Sequence, residues 1–215
     1  MNFGELKTRL VSWAIGLSDI QAIAGDLINM ALHDIEKEES WRYMQTLTTG
    51  TLVTTSDNIA EPTSYKETKG FFVKSSNTEV ELKKYTYHFL LLKYPDDSNT
   101  IDTPKAFAML NNASGEARIY FRPWADQTYS YQFVYYKYSN DLSADSDTHW
   151  LLTNAWELLL FGALKHGQKL VRVNDEDVKR WTDLYNENFA KLRKVQIDEE
   201  IAGSARLNNN GMQII

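Results

Sequence analysis

Apolar residues recur at helical spacing near both ends of this chain and at alternate positions between them. Phe3, Leu6, Leu10, Trp13 and Leu17 follow one another by three or four residues, one face of a helix. Asn2 is placed to cap it, with Glu5 three positions on in the capping-box pattern, and Gly16 to end it. Ser18 opens a second helix, with Gln21 again at capping-box spacing and Asp19 suited to the positive end of the dipole. Its stripe is Ile20, Ile23, Leu27, Ala31 and Ile35, running to about Glu38. A block from Trp150 to Leu164, WLLTNAWELLLFGAL, is apolar around most of its circumference and predicts a buried central helix. Asp147 or Thr148 is placed to cap it, and it should continue to about Lys169. Thr153, Asn154 and Glu157 interrupt the block, which is too short to cross a bilayer. A last helix starts at Asn174 or Asp175 and carries Val178, Trp181, Tyr185, Phe189, Leu192 and Val195.

The middle of the chain reads as strands. Residues 46–55, TLTTGTLVTT, are rich in β-branched side chains, with Gly50 at a turn or bulge. Residues 64–83 predict one or two short strands around Phe71 to Lys74, with a turn at 75–78. Residues 86–94, TYHFLLLKY, fit a strand or a short helix, and Pro95-Asp96-Asp97 ends either. Lys105 to Leu110 and Glu116 to Arg122 form a hairpin around Asn111, Asn112, Ser114 and Gly115. From Thr128 to Tyr138 the alternation is clearest, with Tyr129, Tyr131, Phe133 and Tyr135 on one face.

The expected fold is therefore α+β, mainly α: a four-helix platform with an inserted antiparallel β-rich domain and an extended C-terminal tail. Residues 1–45 and 145–197 form the platform, 46–144 the insert and 198–215 the tail. The tail, DEEIAGSARLNNNGMQII, has no period and should be poorly ordered alone in water. Ile201, Leu207, Met212, Ile214 and Ile215 stand in it as isolated apolar anchors.

Composition narrows the chemistry. The absence of cysteine rules out disulfides, thiolate metal sites and a cysteine nucleophile. A net charge of −6 argues against a dedicated binder of nucleic acid, which needs clustered cations to displace counterions. Basic residues gather in the last two helices, but acids are interleaved, which describes a mixed solvated surface. The N-terminus lacks a basic segment followed by an apolar run, so no signal peptide is expected. No phosphate loop, HExxH, nucleophile elbow or EF-hand pattern occurs. His33, His88, His149 and His166 are scattered; His33 near Asp34 and Glu36 reads as a solvated helix end rather than a metal site. The acids Glu36, Glu38 and Glu39 likewise read as solvated or partner-facing surface. Trp41, Tyr43, Trp124, Tyr129, Tyr131, Tyr135 and Tyr136 offer aromatic faces for carbohydrate or bases, or a β core. Pro123-Trp124-Ala125-Asp126 is turn-like, which leaves Trp124 open to an interface. No catalytic residue, cofactor or metal is assigned, and no enzyme activity is expected.

Four stretches taken in order carry a family resemblance: NFGELKTRL at the start; NMALHDIEKEESWRYM closing the second helix; YPDD, Pro104 and RIYFRPWADQTYSYQFVYYKY in the middle; and WLLTNAWELLLFGALKHG with VKRWTDLYNENFAKL. Over about residues 2–196 the chain resembles the head-to-tail adaptor, or connector, proteins of tailed bacteriophages, ring subunits that dock on the portal. The resemblance implies a structural virion protein without catalysis or cofactor, made in the host cytoplasm and placed at the head–tail interface. It implies a homo-oligomeric, dodecameric ring that contacts the portal and the tail nozzle or other tail proteins. Genome DNA would pass through its lumen, and no membrane is involved. Candidate contacts with the portal or a neighbouring subunit are Trp41, Arg42, Trp124, Ile201, Leu207, Met212, Ile214 and Ile215. The competing readings are another tail-ring component, a nozzle or gatekeeper subunit, and a carbohydrate-binding module using its aromatic platforms.

Overall fold

The computed structural model describes residues 1–14, 20–54, 57–75, 78–95, 101–168 and 175–211. In chain order the elements are helices α1 (Phe3–Trp13) and α2 (Ile20–Glu38), then strands β1 (Gln45–Leu52), β2 (Asn58–Ala60), β3 (Tyr65–Ser75), β4 (Thr78–Glu81) and β5 (Lys83–Lys84). Helix α3 (Tyr87–Lys93) precedes β6 (Ile101–Asp102), β7 (Ala106–Asn111), β8 (Ala117–Arg122), β9 (Trp124–Ala125) and β10 (Tyr129–Lys137). Helices α4 (Trp150–Asn154), α5 (Trp156–Gly167) and α6 (Asp175–Gly211) close the chain. Two compact units result: Met1–Tyr43 with Ser139–Ile215, and Met44–Tyr138.

The helical unit is built on α5, whose residues Leu158 to Leu164 are all buried. Helix α2 lays Ile20, Ala24, Leu27, Ala31 and Ile35 along its own buried stripe, and Trp181 and Tyr185 of α6 are buried in the same unit. Gly162 sits where three helices meet: a Cβ there would lie 2.9 Å from Ala31 Cβ and 3.2 Å from the Tyr185 ring. Alanine favours a helix over glycine by about 1 kcal/mol, yet overpacking a tight core costs about 1–3 kcal/mol. Gly162→Ala should therefore destabilise the unit in urea titrations, and by less in an Ala31→Gly background. An equal cost in both backgrounds would remove the close contact as its cause.

Three features of this unit depart from the sequence reading. The third platform helix is broken at Ala155 (φ −149°, ψ 39°) into α4 and α5, making five helices among the described residues of the unit. Thr153 Oγ1 and Asn154 Nδ2 donate to the carbonyls of His149 and Trp150, four residues back. Trp150 at the head of the block is 41% exposed, so the interior rod is α5 alone. His149, not Asp147 or Thr148, caps α4, its Nδ1 accepting from Leu151 N–H. Finally, α6 runs to Gly211 where an extended tail was expected from 198. Ala, Glu, Arg and Leu predominate across 199–207, and lengthening a helix that already exists adds one hydrogen bond per residue fixed. The predicted helix ends at Gly16 and Ser18 and the turn acids Asp96 and Asp97 lie outside the described residues. The Asn2–Glu5 capping box is present in both directions, at 2.8 and 3.0 Å.

In the inserted unit, two four-stranded sheets, ordered β1-β10-β3-β4 and β2-β8-β7-β5, share one core. Alternation assigns the sides. Phe71 and Val73 of β3 and Tyr129, Phe133 and Tyr135 of β10 meet Phe107 of β7 and Ile119 and Phe121 of β8. The opposite side of β7 and β8 offers Ala106, Ala108 and Tyr120 to Leu90 of α3. Residues 86–94, ambiguous in sequence, thus form a helix capped by Thr86, with one buried contact onto a sheet. The β7–β8 hairpin pairs as expected, with Gly115 at φ +81° in its turn. The strand pairings are antiparallel except for β5 with β7 and β6 with β9, which are parallel. Gly50 lies within β1, not at a turn or bulge: Tyr131 of the paired strand folds over it, so a Cβ would come within 2.7 Å of the ring.

Candidate functional site

In the helical unit, α2 carries a set of polar side chains that ends in the buried Glu36. Asn29, His33 and Glu36 follow at steps of four and three, which brings them to one face of the helix. That face holds the segment by which the chain re-enters the unit. Asn29 exchanges two 3.0 Å hydrogen bonds with the backbone of Leu142. His33 Nε2 lies 2.6 Å from Asp141 Oδ1. Glu36, fully buried, accepts from the Ser139 N–H at 2.9 Å and from the Ser139 hydroxyl at 2.6 Å. Tyr43, the last residue before the insert, donates to the same carboxylate at 3.4 Å and stacks on Trp150 with ring centres 4.9 Å apart. One side chain therefore ties both points where the chain leaves and re-enters the unit.

Ser139, His149 and Glu36 have the residue types of a hydrolase triad, with Ser139 Oγ 2.9 Å from His149 Nε2. Their wiring differs. His149 Nδ1 accepts from Leu151 N–H, so the proton of the neutral ring resides on Nε2 and is donated to Ser139 Oγ. The serine in turn gives its proton to Glu36. In a nucleophilic triad the imidazole instead accepts the serine proton, and the acid sits on the far nitrogen. Here the imidazole has no free lone pair, and the carboxylate lies beside the serine. The cluster locks the chain and does not activate a nucleophile.

Burial and the neighbouring Glu36 raise the Tyr43 phenol far above its ordinary value, which keeps it a hydrogen-bond donor. Burial lowers the His149 pKa from 6.5, opposed by Glu36, so the ring is held neutral. The unfolded chain then binds a proton that the folded chain refuses. This contribution is complete above about pH 6.5 and is lost as pH falls toward the lowered folded value. Urea unfolding of the wild type should weaken from pH 7 to pH 5 more steeply than that of His149→Gln. Parallel profiles would show that the histidine is not held neutral.

The predicted contact residues do not converge. Trp41 is 1% exposed, its indole N–H bound to Ile35 O at 2.7 Å and its ring edge-on to Phe189, so it is a core residue and not an open contact. A planar aromatic side chain after a helix buries readily once a carbonyl meets its N–H. Arg42 is exposed and pairs with Glu199 of α6 at 2.7 Å. Trp124, in the other unit, is half-buried beneath the Arg122 guanidinium, 5.3 Å from its ring centre. Ile201 and Leu207 fall in the last turns of α6, where side chains lie outside the description, and Met212, Ile214 and Ile215 lie outside the described residues. The aromatic set proposed for carbohydrate divides between the units, and Trp41, Tyr129, Tyr135 and Tyr136 of it are buried. Among the described residues no group of three or more His, Cys, Asp or Glu side chains is placed to hold a metal.

What the helical unit leaves open is apolar surface. Trp13, Met30, Trp150, Val195 and Ile197 are each more than 40% exposed. Trp150, Trp156, Leu192 and Val195 wall a groove between the α4–α5 break and α6.

The sequence matches the family described as SU10 adaptor protein over residues 1–208, which takes in both units. The chain belongs to the SU10 adaptor protein family. No curated protein matches it in sequence. This adaptor is accordingly a structural protein of a bacteriophage virion that associates with other phage head and tail proteins. Among the described residues of the adaptor, no helix is long and apolar enough to cross a membrane.

Proposed function

We propose that this adaptor is the ring subunit that joins head to tail: a dodecamer docked between the portal and the tail nozzle or other tail proteins, with genome DNA passing through its lumen. The observation that carries this reading is the family match across the whole architecture, helical unit and insert together. Three physical features support it. A subunit that closes a ring must present a rigid body, and the Glu36 lock fixes the helical unit where the insert would otherwise loosen it. Large exposed apolar side chains on that unit, Trp13, Met30 and Trp150 among them, suit burial by neighbours. A net charge of −6 keeps a conduit from gripping phosphates.

Helix α6 continues for three turns past its tie to Arg42, and we assign Ile201, Leu207, Met212, Ile214 and Ile215 to contact with the portal or a neighbouring subunit. Arg42 and Trp124 are further contact candidates. Cryo-electron microscopy of purified particles tests the ring. Twelve copies between portal and tail are expected, and absence of the chain from particles would refute the proposal. A chain lacking residues 201–215 keeps the Arg42–Glu199 pair. It should show native helical circular dichroism yet fail to retain the portal in a pull-down; undiminished retention would remove this segment from the interface.

A further inference from the structure

Among the described residues, the two four-stranded sheets of the inserted unit have four edges, and three of them are blunted in the usual ways. Strand β4 has four residues, two of them Glu79 and Glu81; β2 has three; and β5 is a pair of lysines. Short length and charge deter pairing with another chain. Strand β1 has neither protection. It spans eight residues, QTLTTGTL, within a stretch free of charge from Tyr43 to Ser56. It contains no proline, and its register with β10 is unbroken from Gln45↔Tyr136 to Leu52↔Tyr129, whereas β10 and β3 slip twice. Among the described residues it pairs on one side only. Its outward positions Gln45, Leu47, Thr49 and Thr51 are exposed, with Leu47 and the following Val53 at 54% each.

We infer that β1 is a docking edge that receives an extended, uncharged strand from a different head or tail protein of the virion. Adding a strand there satisfies the outward backbone groups of β1, while side chains beside Leu47 and Thr51 select the partner. The occupant must be long, neutral and alternating in character to match eight uncharged positions. Among the described residues no other edge of this chain fits: β4 is acidic and half the length, β2 and β5 are shorter still, and β6 and β9 have two residues each. Pairing β1 with the β1 of a second copy makes a two-fold contact, which a ring closed by rotation does not repeat around its circumference. This last step rests on the ring proposed above.

The test places p-benzoylphenylalanine at position Leu47 of the full chain, irradiates purified particles and identifies crosslinked peptides by mass spectrometry. The expected product joins β1 to an extended segment of another virion protein. Introducing Thr49→Lys with Thr51→Lys should abolish that product while far-UV circular dichroism of the free chain stays unchanged. A crosslink to β1 or β4 of a second copy overturns the inference, as does one that survives the lysines. No crosslink from a chain present in the particle overturns the inference and leaves the ring reading standing. A chain missing from the particle overturns both.

Discussion

Replacing Glu36 by alanine should destabilise the helical unit by about 3–5 kcal/mol, the cost of removing one partner from a buried, charge-assisted network. The substitution leaves the Ser139 N–H, the Ser139 hydroxyl and the Tyr43 hydroxyl without their acceptor. Glu36 itself is wholly shielded from solvent, while Tyr43, Ser139 and His149 around it are half-buried. Glu36→Gln should also be costly, because its amide nitrogen turns a donor toward groups that are themselves donors. Ser139→Ala removes two hydrogen bonds of the network at once, the hydroxyl being donor to Glu36 and acceptor from His149. The double variant should therefore cost well under the sum of the singles. Urea unfolding followed by far-UV circular dichroism and by fluorescence reads this out. A Glu36→Ala loss below 1 kcal/mol, or full additivity with Ser139→Ala, would reduce the cluster to incidental contacts.

Much of this architecture is legible in the chain because local and global preferences agree. The Asn2–Glu5 box, the stripe of α2, the β7–β8 hairpin and the aromatic alternation of β10 all follow from spacing alone. The site is legible only in part. With Glu38 and Glu39 following it near a helix end, Glu36 reads as solvated or partner-facing surface, yet the apolar stripe is wide enough to take Glu36 inside. The signal that points to it is Asn29, His33 and Glu36 at helical spacing beside the stripe. Their partners Ser139, Asp141 and Leu142 lie more than a hundred positions away, and no local pattern reports such a pairing. Trp41 misled for a related reason: its burial depends on Phe189 of α6 and on a carbonyl six residues back. The break at Ala155 has no local signature, since Thr153 and Asn154 bond the carbonyls four residues back as Thr182 and Asn188 do inside the unbroken α6. The long α6 shows the reverse, since the loss of an apolar period after Ile197 does not end the helix.

Phe71→Ala should destabilise the inserted unit by about 3–5 kcal/mol, the range for deleting a buried aromatic side chain. Phe71 is wholly buried on β3 and stands opposite Phe133 of β10 in the register, with ring centres 4.8 Å apart. It also reaches the facing sheet, lying edge-on to Phe107 at 5.3 Å and to Phe121 at 5.2 Å. One side chain thus joins both layers, and with Tyr131 at 5.4 Å an alanine leaves a void bordered by four rings, each of which loses dispersion contacts. The surrounding residues are themselves close-packed aromatics on hydrogen-bonded strands, so collapse into the void is restricted. Phe71→Leu retains most of the apolar volume and should cost clearly less. Amide hydrogen exchange along β3 and β10 measures the effect directly, and a loss of this size accelerates exchange through unfolding by at least about a hundredfold. If both strands keep wild-type protection in Phe71→Ala, the two sheets are not held together by this core.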